Sequence, residues 1–310
     1  MTYCIADFLV DITFAPSDCG NGARLLPSFP PFLVPHASDA WGDYEPQTHP
    51  QHLFSLLVDD NLRPTKGRQL VYDADTGNGI TRVFGTPDGG YEFIIKDISG
   101  RSCALLQADG EFRDCRCALN GDYGMRSFGL NDALMLAFAF AGSFHQTALI
   151  HASTVMHRGV GYPFVAASGT GKSTHTSLWL KHIEHCQLLN DDNPVVRIVD
   201  GQPFVYGSPW SGKTPCYRQM HAPLGAVTRI ERAPKNEVER LKPVKAFASL
   251  LPACSTMRWD GPIYRNLCDL VTRLVERVPI YTMHCLPDEE AARVCHGAVR
   301  NVEKETESSL

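Results

Sequence analysis

The sequence predicts an α/β core preceded by a β-rich N-terminal domain and followed by C-terminal helices. Three observations carry that expectation. Turn signals crowd the first third of the chain and leave short runs rich in β-branched and aromatic residues between them. From about Asn131 onward, strand-like and helix-like stretches alternate. A glycine-rich loop, residues 168–173, stands between a short apolar run and a helical pattern.

The turn signals are Pro16, Asp18-Cys19-Gly20, Pro27 to Pro35, residues 75–79, Pro87-Asp88-Gly89-Gly90 and Asp109-Gly110. Between them lie residues 69–72, 91–95 and 103–106, each of strand length, and a twisted antiparallel meander is expected. This gives a β-rich domain over residues 1–127, expected to help recognise a substrate, and a second domain over 128–310. The second opens on residues 132–141, apolar nearly all round and so read as a buried helix.

Strands are then expected over 148–155 and 162–166, around Leu188-Leu189 and over 195–199, with a helix from Lys172 to about His182. Apolar residues at three-to-four spacing mark helices over 244–251 and 264–277. Residues 279–286 read as a closing strand. Asp288-Glu289-Glu290 puts acid in the first turn of a final helix, and the tail from Glu303 is expected to fray.

A formal charge of -5, without a basic block, argues against a nucleic-acid or membrane partner. Eleven cysteines, unpaired in spacing, read as reduced thiols, and Cys115 and Cys117 as small apolar residues. The N-terminus lacks the pattern of a secretory signal, and no stretch stays apolar for ~18 residues. A cytoplasmic protein is the expectation.

In Ala167-Ser168-Gly169-Thr170-Gly171-Lys172-Ser173-Thr174, glycines allow backbone N–H groups to turn inward at a helix N-terminus, where phosphates are favoured. Lys172 is suited to the β and γ phosphates of ATP, and Ser173 to Mg²⁺. Ala166 replaces the first glycine of the usual pattern. A plain serine-capped turn is the alternative, but it gives no reason for a lysine in the first helical turn, where the dipole disfavours it.

Asp191 and Asp192 end an apolar strand, where adjacent side chains point to opposite sides and so are expected to serve separate tasks. One carboxylate near Mg²⁺ and one accepting a hydroxyl proton is what phosphoryl transfer requires. Asp-Asp-Asn-Pro is also turn material. His151 is expected within a strand beside the loop strand, either as a satisfied core histidine or as part of the site.

Together these segments resemble the catalytic domain of HPr kinase: Leu149-Ile150-His151-Ala152, then the Ser-Gly-x-Gly-Lys-Ser loop, then the Asp-Asp pair. The loop and the pair also resemble phosphoenolpyruvate carboxykinase. The likeness spans residues 149–225. It implies a mixed-sheet P-loop core of that type, with ATP and Mg²⁺ as cofactors and a hydroxyl-bearing acceptor, a serine of a protein or peptide or a small molecule. It implies Asp191 as base, Asp192 with Ser173 at the metal, and His151 and Lys172 in the same site. Two segments depart from the pattern. Residues 220–225 lack the Glu and Arg of HPr kinases, so the resemblance does not extend to the reverse, phosphorolytic reaction. Gly207-Ser208-Pro209-Trp210-Ser211-Gly212-Lys213-Thr214-Pro215 resembles HPr-kinase-like relatives of unassigned or peptide-modifying role.

In that second loop, Ser211 and Lys213 are substrate candidates against the alternative of a turn packed by Trp210. Arg218 and Arg229 are further anion-contact candidates. The competing functions are a kinase, a carboxykinase, for which the chain is short, and a nucleotide-binding regulator in which the acidic pair is only a turn. If one site exists, an acidic residue should lie within about 8 Å of Lys172 or Ser173, with room for a hydrated Mg²⁺.

Overall fold

A computed structural model describes residues 1–16, 22–34, 44–75 and 79–307, the last seven by backbone only. The expected turns at 18–20 and 76–78, Cys19 and the Pro35 end of the proline segment lie outside the described residues. The protein is mixed α/β, with several mixed sheets. Two compact units divide it: residues 1–145 with 256–264, and residues 146–255 with 265–310. The division falls after His145, not at 127/128.

The first unit is built on β1 (Thr2–Ile5), β2 (Phe8–Phe14), β3 (Gln51–Val58), β4 (Gln69–Asp75), β5 (Gly79–Gly85), β6 (Tyr91–Asp97), β7 (Ser102–Ala108), β8 (Asp114–Leu119) and α1 (Tyr123–Ser143). The eight strands form one sheet in the order β1-β2-β3-β8-β7-β6-β5-β4. From β4 to β8 it is the expected antiparallel meander. Beyond it the expectation fails: β3 pairs parallel with both β8 and β2. The chain between β2 and β3 is long, and β3 is joined to β8 through the whole meander, so both pairs can be parallel, which a hairpin does not allow.

Alternation along β8 buries Cys115 and Cys117. Burial pushes both thiols far above their ordinary range, so they behave as small apolar groups. α1 is capped by Asp122, which accepts from the Met125 N–H at 2.9 Å. It packs on β3, β6, β7 and β8. Gly129 permits the approach, because a Cβ there would lie 2.9 Å from the Cys103 backbone. This helix, expected to open the second domain, therefore belongs to the first.

The second unit contains β9 (Thr147–Leu149), β10 (Ala152–His157), β11 (Val160–Val165), α2 (Lys172–His182), β12 (Cys186–Asp192), β13 (Val195–Val199), β14 (Gln202–Tyr206), β15 (His221–Pro223), β16 (Val227–Arg232), β17 (Glu237–Arg240), α3 (Pro243–Leu250), most of α4 (Gly261–Arg277), β18 (Ile280–Cys285) and α5 (Glu289–Glu307). A six-stranded sheet runs β12-β10-β11-β16-β18-β17, and a four-stranded one β15-β14-β13-β9. Two cores follow from strand alternation. One contains Val165, Val196, Val205, Leu250 and Leu270, between the sheets and against α3 and α4. The other contains Tyr162, Phe164, Trp179, Met283 and Ala292, under α2 and α5.

The strand expected over 148–155 is two strands in different sheets, broken at Ile150-His151. At the break Ile150 bridges to Cys254, and the His151 N–H donates to the Ala253 carbonyl at 2.7 Å. The expected closing strand, β18, lies inside its sheet between β16 and β17. α5 remains helical past Glu303 to Glu307. Among the described residues no helix is long and apolar enough to cross a membrane.

Candidate active site

β11 ends at Val165 and α2 begins at Lys172, so the glycine-rich loop fills the turn between a buried strand and a helix N-terminus. Gly169 at φ +74° and Gly171 at φ +131° take torsions that L side chains rarely adopt. The N–H groups of Gly169, Gly171, Lys172 and Ser173 have no acceptor among the described residues, although Thr170 N–H turns back to Ala167 O at 3.2 Å. Unpaired donors at a helix N-terminus are what an oligophosphate requires. Ser168, Ser173 and Thr174 are exposed, so the loop is reachable from solvent.

The Lys172 ammonium folds over this loop and donates to Ala166 O at 3.3 Å. Burial lowers its pKa, while Asp192 and Asp191 act in the opposite direction. Ala166 thus keeps a loop role through its carbonyl, which an alanine supplies as well as a glycine.

Asp191 is 4% exposed, and its carboxylate oxygens are both engaged. The Ser173 hydroxyl donates to Oδ1 at 3.3 Å, and the Thr214 N–H donates to Oδ2 at 3.3 Å. A hydroxyl beside a carboxylate is a hard-oxygen donor pair, suited to Mg²⁺ that takes its remaining ligands from phosphate and water. No cluster of three or more His, Cys, Asp or Glu among the described residues forms a metal cage. The structure sets Asp191 against Ser173, where the sequence expectation had Asp192.

Asp192 departs from the strand rule. β12 carries a bulge opposite Thr154/Val155, and Asp192 has φ 129°, a strained torsion for a residue with a side chain. Its Oδ1 lies 3.4 Å from His151 Nδ1. Lys172 is in electrostatic range of both carboxylates. Burial and then the Lys172 charge hold His151 below its ordinary pKa, with the two carboxylates opposing.

The second loop closes on the acidic pair. Gly212 N–H donates to Asp191 O at 2.5 Å, and Ser211 forms an antiparallel bridge with Asp192. The Ser211 hydroxyl lies 2.9 Å from Asp191 O and 2.7 Å from Thr214 O, so it acts within the loop. Lys213 is exposed and makes no hydrogen bond or ion pair with the described residues. Arg218 reaches Gln187 at 3.2 Å, and Arg229 pairs with Glu231 at 3.2 Å and the Ser249 carbonyl at 3.1 Å. Neither is brought to the acidic pair.

Two features escaped the sequence. Arg232, at the end of β16, donates to Gly169 O at 2.6 Å and Thr170 O at 3.0 Å. Nothing in its local sequence marks it, because the contact needs the parallel pairing of β11 with β16. Beside it lies a cavity of about 470 Å³ lined by Thr170, Thr174, Leu178, Ile230, Arg232 and Leu286, among others.

No family model matches the chain, and no curated protein matches it. Among solved structures it is similar to one described as the Hpr(Ser) kinase/phosphatase from Coxiella burnetii, at 11% identity, over 51% of this chain and 98% of that one. The TM-score of 0.30 is too low for that likeness to carry an argument, and the functional reading rests on the site.

Proposed function

We propose that the protein is an ATP-dependent phosphotransferase that moves the γ-phosphate to a hydroxyl of a protein, a peptide or a small molecule. The observation that carries this reading is the meeting of loop and acid: unpaired loop N–H groups, Lys172 and Ser173 stand beside the Asp191 carboxylate, 3.3 Å from the Ser173 hydroxyl. The loop N–H groups and Lys172 hold the β and γ phosphates. Ser173 and Asp191 would hold Mg²⁺, which when bound would neutralise charge on the phosphate oxygens.

Asp192 is the better base. Its oxygens meet Asn193 Nδ2 at 2.9 Å and His151 Nδ1 at 3.4 Å, but its side chain is 31% exposed against a buried Asp191, and an acceptor hydroxyl must reach the atom that takes its proton. This exchanges the roles that the family resemblance implies for the pair. His151 sits beside Asp192 and steadies the carboxylate. The apolar cavity beside Thr170 is of a size and lining suited to the nucleoside.

The test is incubation with γ-labelled ATP and Mg²⁺, with and without a lysate of the source cell, and in a separate arm with oxaloacetate. ADP formation with label appearing in a hydroxyl ester supports the reading. ATP bound but left intact under both conditions makes the chain a nucleotide-binding regulator. Label consumed only with oxaloacetate makes it a carboxykinase.

A further inference from the structure

Asn190 is 0% exposed, directly precedes the acidic pair, and has every polar atom of its side chain engaged. Its Nδ2 lies 3.2 Å from Ser208 Oγ, 3.2 Å from Trp210 O and 3.4 Å from Ser208 O. Its Oδ1 accepts from the Asn193 N–H at 3.1 Å. Ser208, also 0% exposed, donates from Oγ to Asn193 O at 2.6 Å and accepts from the Trp210 N–H at 3.2 Å. One carboxamide and one hydroxyl thus tie the end of β12 to the start of the second loop, with no water needed.

The far end of that loop then closes on Asp191 through Gly212 and Thr214. Gly212 leaves little space: a Cβ there would come within 3.2 Å of Asp192 Cβ and 3.4 Å of Asp191 O. The loop is fixed at its base and in contact with both acids at its tip. Buried polar groups this fully satisfied rigidify what they connect.

We propose that residues 207–214 form a clamp, with Asn190 and Ser208 as its buried positioning residues, that holds Asp191 in the orientation Mg²⁺ requires. The proposal rests on the phosphotransferase reading and deepens it. The second loop would then act on the metal carboxylate through backbone groups, not on the acceptor through Lys213. Ligand-orienting partners of this kind typically contribute about 10-fold to 100-fold in metal affinity.

The experiment is calorimetric titration of the intact protein with ATP, once in EDTA and once in excess Mg²⁺, for the parent, Asn190→Ala and Ser208→Ala. The clamp predicts that the gain in ATP affinity on adding Mg²⁺ shrinks about 10-fold or more in the variants. Their metal-free ATP affinity should stay within about twofold of the parent, because the phosphate loop is untouched. Ser208→Ala removes a single hydroxyl and keeps the test readable if Asn190→Ala does not fold. An undiminished Mg²⁺ gain in the variants overturns the clamp and leaves the phosphate loop standing. An equal loss with and without metal also overturns it, since the effect would then be general. A parent that binds no ATP under either condition overturns the underlying reading, and the clamp with it.

Discussion

Asp191 is buried and accepts from Ser173 and Thr214, whereas Asp192, which accepts from Asn193 and lies beside His151, is partly exposed. On the proposed reading, that difference in exposure sets their roles. Replacing Asp192 by Asn is expected to leave Mg·ATP affinity near that of the parent while lowering turnover by a factor on the order of 10² to 10⁴, the usual cost of losing a general base. Replacing Asp191 by Asn is expected to weaken Mg²⁺-dependent ATP binding first. Steady-state kinetics beside calorimetry separates the two, and full turnover in Asp192→Asn would refute the assignment. At this scale the sequence singled out Ser173 and Asp191, which lie 3.3 Å apart, because the loop and the pair are local motifs, but it did not mark Thr214 or Arg232. It could not show which acid faces Ser173, since that depends on the bulge in β12 and the φ of 129° at Asp192.

The elements that hold the site leave little tolerance where they approach one another. A Cβ at Gly161 on β11 would fall 2.2 Å from Val205 Cγ1 on the facing sheet. Gly161→Ala is expected to cost about 1 to 3 kcal/mol by overpacking, measured by urea unfolding. In the other unit, α1 carries Asp132, whose carboxyl burial raises to about 7. A raised folded pKa means that the native acid keeps a proton which the unfolded chain has released. The stability it contributes is fully present below the ordinary carboxyl pKa and is lost as pH rises through about 7. Asp132→Asn should therefore raise Tm relative to the parent more at pH 8 than at pH 5, and a pH-independent difference would contradict this. α1 was legible as a buried helix over its second half, because residues 132–141 are apolar nearly all round. Its owner was not, since the close approach at Gly129 to β7 is a tertiary fact. The break at His151 was hidden for a similar reason: both flanking segments have strand character, and no local signal marks where a chain changes sheet.

Across the whole molecule, every residue given a role in phosphoryl transfer lies in the second unit, residues 146–255 with 265–310. The first unit has its own sheet and its own helix, and its proposed part is recognition of the acceptor. The proposed function requires that the second unit bind ATP through the loop between β11 and α2. The decisive measurement is titration of the intact protein with ATP in excess Mg²⁺, parent against Lys172→Ala at matched Tm. Loss of a charge-assisted contact predicts single-site binding by the parent, weakened about tenfold or more in the variant. Equal affinity in the two proteins, or no binding by the parent, would contradict it.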